Sequence, residues 1–130
     1  GRRPDRVFLT DGQRSIRVGR SARDNDLVTQ SAKPHDLCLH ARGVTGAHVV
    51  VPLGKREVCP SQLLADAAML AAHFSESARE LRVEVQYCRR RQVRKVRKGP
   101  PGVVTGRQER VLLVEMIQPR IRWMLEQEER

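Results

Sequence analysis

The segment CPSQLLADAAMLAAHFSESARE, residues 59–80, decides the fold. Leu63, Ala67, Leu70, Phe74 and Ala78 recur at steps of three and four, which sets them on one stripe of an α-helix. Leu64, Ala68 and Ala71 widen that stripe. Pro60 suits the first helical position, where a missing N–H costs nothing. A face built so largely of alanine lets a helix approach a sheet closely. The helix reads as structural core, and the strands around it determine the rest.

Upstream, Val7–Thr10 and Ser15–Gly19 read as a hairpin around Asp11-Gly12, residues that tolerate positive φ. Asn25 or Asp26 is suited to cap a short helix running to about Ala32, ended by Pro34. Leu37, Leu39 and Ala41 share one face of a strand, with Cys38, His40 and Arg42 on the other. His48–Val51 is a second strand. Downstream, Val83–Tyr87 alternates as a strand, GPPG (99–102) is a turn, and Val103–Thr105 and Val111–Val114 read as closing strands. Pro119 precedes a last helix, Ile121–Gln127. Strands and helices thus alternate irregularly around one long helix. The expectation is an α+β single compact domain over residues 1–130, with a mixed or antiparallel sheet packed on the long Ala-rich helix and a short C-terminal helix. At 39% hydrophobic residues the chain carries one modest core.

The two strands before that helix sit in LHARGVTGAHVVV, residues 39–51. If this segment folds back on itself, His40 and His48 face each other across the Gly43-Val44-Thr45-Gly46 turn. A metal site needs three or four ligands. His35, Asp36 and Cys38 lie nearby, but the set matches no known ligand spacing and no H-E-x-x-H is present. Nor does a nucleophile elbow or paired-carboxylate pattern accompany it. What remains is a structural pair in a rigid hairpin, or phosphate contact beside Arg42. The order of preference is scaffold, ligand contact, metal. Histidines that meet phosphate strengthen binding as pH falls through about 6.5. The glycines have two readings: bare backbone donors open to a phosphate, or supply of positive φ alone.

Charge points the same way. The net charge is +10, with 21 Arg against 4 Lys. Between Tyr87 and Arg110 stand nine basic residues and one acid, a net +8 of that +10. Arg89, Arg90, Arg91, Arg94, Lys95, Arg97 and Lys98 put +7 on ten residues with no acid between. Self-repulsion on that scale calls for a polyanionic partner. Membrane headgroups compete as partner, but the run lacks an interleaved aromatic or Leu anchor. Only 3% of the residues are aromatic, so stacking platforms for single strands are scarce, and the backbone shape of folded or double-stranded RNA is the better target. Cys38, Cys59 and Cys88 form no Cys-x-x-Cys and read as reduced thiols of a cytoplasmic protein. No apolar run approaches the ~18 residues of a membrane span, and no signal peptide is visible.

Four ordered blocks carry a resemblance. VGRSARDNDLVT, HDLCLHARGVTGAHVVV, AAMLAAHFSESAR and VQYCRRRQVRKVRKGPPGVV together resemble the NFACT-R domain, the RNA-binding module of the NFACT proteins of ribosome-associated quality control. Cys38 stands where that family has Trp, Thr45 where it has Pro, and Ala47 where it has Ser. The resemblance implies binding of structured RNA, tRNA and the large ribosomal subunit without catalysis. By position it points to Arg20, Asn25, Asp36, His40, Gly46 and His48, with the basic ribbon beside them. The chain then reads as a fragment or a stand-alone relative of a larger protein. The expectation is a non-enzymatic RNA-binding domain with no cofactor, no metal and no membrane partner. Its contacts are placed at Arg20, Asn25, His40, Arg42, Gly43, Gly46 and His48 and along Arg89, Arg90, Arg91, Arg94, Lys95, Arg97 and Lys98. The alternatives are a His-based metal-dependent enzyme and a DNA-binding or ribosome-docking module.

Overall fold

A computed structural model describes residues 3–95, 101, 104–106 and 109–130. Strands β1 (Asp5–Leu9), β2 (Ser15–Gly19), β3 (Leu37–Ala41), β4 (Val49–Val51), β5 (Arg82–Arg89) and β8 (Arg110–Glu115) form one sheet in the order β1-β2-β4-β3-β5-β8. Every neighbouring pair in it is antiparallel. Strands β6 (Val93–Lys95) and β7 (Val104–Gly106) pair separately. The helices are α1 (Ala22–Ser31), α2 (Ser61–His73) and α3 (Gln118–Glu126). The expected α+β class holds, and the sheet is antiparallel rather than mixed.

Period-two patterning decides which side chains meet α2. Leu37, Leu39 and Ala41 of β3, Val49 and Val51 of β4, and Val83 and Val85 of β5 are buried in one cluster with Ala67, Ala68, Ala71 and Ala72. Those four alanines have no exposed surface, as close packing on a sheet requires. Leu63, Met69 and Leu70 fill the space between, each worth about 1.5–3 kcal/mol of transfer free energy. Helix α3 is tied to α2 through buried Asp66, whose carboxylate takes Arg120 Nε at 3.0 Å and Nη2 at 2.8 Å. Helix α1 lies on the opposite face, where Arg17 Nη2 donates to Ser31 Oγ at 2.8 Å.

Several boundaries move from expectation. Helix α1 starts four residues before Asp26: Ser21 is its cap, its Oγ accepting the Asp24 N–H at 3.2 Å. Asn25 is buried inside the helix instead. Helix α2 ends at His73, short of Ala78, because Glu76 N–H is drawn to Thr45 O at 3.0 Å and Gly46 bridges Ser75. Pro60 is its cap residue, one place before the first helical position. Pro119 sits within the first turn of α3 rather than before it. The turn expected at GPPG, apart from Pro101, and the strand residue Val103 lie outside the described residues.

Candidate nucleic-acid interface

Continuing the β3–β4 register by one step sets His40 opposite His48, and the rings do meet. Their centroids are 5.6 Å apart at an edge-to-face angle of 84°. His48 is buried. Its Nδ1 lies 3.0 Å from Thr29 Oγ1, and its backbone N–H donates to Asn25 Oδ1 at 3.0 Å. The amide of Asn25 donates in turn to Gly46 O at 3.4 Å. Asn25, Gly46 and His48 therefore form one staple between α1 and the turn. Asp36, also buried, does the same work nearby, accepting Leu53 N–H at 3.0 Å and Lys33 N–H at 2.8 Å.

Burial, helped by the neighbouring His48, pulls the His40 imidazole down to about 4. The ring is neutral at physiological pH, so a rise in binding through pH 6.5 is not expected from it. The gap beside the two rings has a volume of about 30 Å³, room for roughly one water. Cys38 and Cys88, directly opposed across β3 and β5, share this face. Burial pushes their thiols up to about 12 and about 11, so both stay protonated. Among the described residues no group of three His, Cys, Asp or Glu side chains is placed to hold a metal.

The two turn glycines serve different ends. Gly43 has φ +71°, a conformation that favours glycine. Gly46 does not; a methyl group there would stand 2.6 Å from Ser75 Cβ. Arg42 crosses to β5 and pairs with Glu84 at 2.8 Å, both side chains being about half exposed. Arg20 lies with Asn25 and Gly46 around an open cleft of about 260 Å³, and its buried Nε has no hydrogen-bond partner among the described residues.

The basic run is not one continuous ribbon. A 3-10 turn, Arg90–Gln92, separates β5 from β6. Arg89 and Arg90 diverge to opposite sides and end on backbone carbonyls. Arg89 donates to His35 O at 2.7 Å and Glu57 O at 3.0 Å. Arg90 Nε donates to Thr29 O at 2.6 Å in the last turn of α1, where a cation also meets the negative end of the helix dipole. Arg91 and Arg110 are exposed and make no ion pair among the described residues. Arg94 is exposed on β6, and Lys95 closes that strand. Arg97 and Lys98 lie outside the described residues.

Elsewhere the arginines meet carboxylates: Arg17 reaches Asp5 at 2.7 Å, Arg14 reaches Glu57 at 2.8 Å, and Arg120 reaches Asp66. In the basic run, by contrast, Arg89 and Arg90 end on carbonyls, and Arg91 and Arg110 meet no carboxylate among the described residues. Sequence reading counted Arg110 in the basic stretch but did not place it among the contact residues. Its nearness follows from the β5–β8 register, which sets it opposite Tyr87.

The model for the NFACT protein RNA binding domain matches residues 6–107. A Streptococcus suis protein named Rqc2 homolog RqcH is 35% identical over 124 residues, 94% of this chain and 22% of the relative. The Bacillus subtilis protein of that name is 35% identical over 92 residues, 70% of this chain and 16% of the relative. This chain thus spans about a fifth of the length of these curated relatives. A solved structure of the C-terminal part of the fibronectin/fibrinogen-binding protein from Streptococcus suis superposes with a TM-score of 0.82 at 34% identity, covering 95% of this chain and 49% of that one.

Proposed function

The chain belongs to the family of NFACT RNA-binding domains, and from that premise we propose that it holds the phosphate backbone of structured RNA without catalysing a reaction. In this reading the RNA is tRNA or the RNA of the large ribosomal subunit; the relatives named Rqc2 homolog RqcH support a setting in ribosome-associated quality control. One observation carries the reading. Arg91 and Arg110 converge on one cleft with guanidiniums that no carboxylate neutralises among the described residues. Arginine forks suit phosphate oxygens, and each contact releases counterions. His40, His48, Asn25 and Gly46 have a scaffold role in this reading, holding the β3–β4 turn against α1. Competition among tRNA, large ribosomal subunits and duplex DNA at one stated salt concentration tests the reading. An RNA species should displace duplex DNA. Equal competition by DNA would favour a general polyanion binder.

A further inference from the structure

We propose that the cleft between the start of α2 and the end of β5 receives one unpaired nucleotide of the bound RNA. The base would lie among Tyr87, Leu64 and Val58, and its phosphate on Arg91 and Arg110. This rests on the RNA-backbone reading above and adds a contact that phosphate binding alone does not require.

The cleft has a volume of about 410 Å³, within the range of small-ligand sites and enough for a mononucleotide. Its walls differ in chemistry. Leu37, Leu64 and the half-buried Tyr87 line the side against α2, and Val58, 82% exposed, extends that apolar side to the rim. Arg91 and Arg110 complete the lining, Arg110 as the cross-strand neighbour of Tyr87 on β8. Arg89 anchors the wall, since its guanidinium is committed to His35 O and Glu57 O and ties β5 to the loop that carries Val58.

A free phosphate would use the two open arginines and leave the apolar wall bare. A lipid chain would use the apolar wall and gain little from a shallow pocket with three arginines. A nucleotide uses both: a π-face against Tyr87 and apolar carbon, and phosphate oxygens on the guanidiniums. A base stacked inside a duplex cannot present its faces, so the occupant is a bulged, looped or terminal nucleotide. The scarcity of aromatics still excludes a row of stacking sites; it leaves room for one.

The test uses two RNAs at one salt concentration: a blunt-ended duplex, and the same duplex with one bulged 2-aminopurine. Wild-type protein should bind the bulged RNA at least about fivefold more tightly and change the 2-aminopurine fluorescence. Tyr87→Leu should abolish both effects while duplex binding persists. Arg91→Gln and Arg110→Gln, at exposed positions that make no ion pair among the described residues, should each reduce the fluorescence change, which keeps the test decisive if Tyr87→Leu folds poorly. Equal affinity for the two RNAs with unchanged fluorescence overturns the nucleotide site and leaves backbone binding standing. Failure to bind either RNA overturns the backbone reading as well.

Discussion

The rings of His40 and His48 meet edge to face at 5.6 Å across the β3–β4 turn, and His48 is locked to Thr29 at 3.0 Å. Protonating His40 would set a charge in a half-buried site beside a second imidazole. With its folded value lowered to about 4 against 6.5 in the unfolded chain, the unfolded state takes up the proton first as pH falls. Stability is therefore full above pH 6.5 and is lost progressively between pH 6.5 and about 4. The loss from this group should reach about 2 kcal/mol by pH 5. Urea unfolding at pH 7 and pH 5 checks it: His40→Gln should lose less stability than wild type over that interval. Parallel losses would remove His40 from the account. RNA affinity, by contrast, should gain nothing from His40 between pH 8 and 5.5.

Asn25 separates scaffold from contact. Its side chain satisfies the His48 N–H and reaches Gly46 O, both inside the protein. Asn25→Ala leaves a buried donor unpaired and should cost about 2 kcal/mol of unfolding free energy. RNA affinity measured well below the melting temperature should fall little. Unchanged stability with lost binding would mean that Asn25 touches the RNA.

Much of the fold is legible in the residues themselves. The alternation of Leu37, Leu39 and Ala41 and the alanine stripe of α2 report burial directly, because one face of each element must be apolar. The start of α1 is less legible, since Ser21 and Asn25 both suit a cap and only the tertiary bond from His48 N–H draws Asn25 inward. Helix α2 stops before its pattern does, because the Gly46–Ser75 approach competes for the backbone. The basic run is least legible of all. Arg89, clamped on two carbonyls, and Arg91, open to solvent, look alike in a string of charges. The pairing of Arg110 with this cleft depends on strand register, which no local motif encodes.

That contrast makes a second pair of variants informative. Arg89→Gln removes two bonds that join β5 to neighbouring loops and should cost about 1.5–3 kcal/mol of stability. Arg91→Gln should stay within about 0.5 kcal/mol of wild type and weaken RNA binding instead. Thermal melts beside binding isotherms read both quantities. A destabilised Arg91→Gln with intact binding would reverse the assignment.

The α2–α3 junction depends on one buried charge pair. Asp66→Asn leaves the exposed Asp11, at 3.0 Å, as the carboxylate paired with Arg120 among the described residues, and position 66 also loses its full charge toward Gln62. Unfolding free energy should drop by about 3 kcal/mol. A drop under about 1 kcal/mol in denaturant titration would show that apolar contacts of Ile121 and Met124 hold α3 alone.

The most direct measurement is the salt dependence of RNA binding. If six basic residues between Arg89 and Arg110 meet phosphates, log K against log salt should slope at about −4 to −5. Arg91→Gln and Arg110→Gln should each make that slope shallower by about 0.7–0.9. A wild-type slope near −1, unmoved by either variant, would contradict the claim that this arginine cluster grips an RNA backbone.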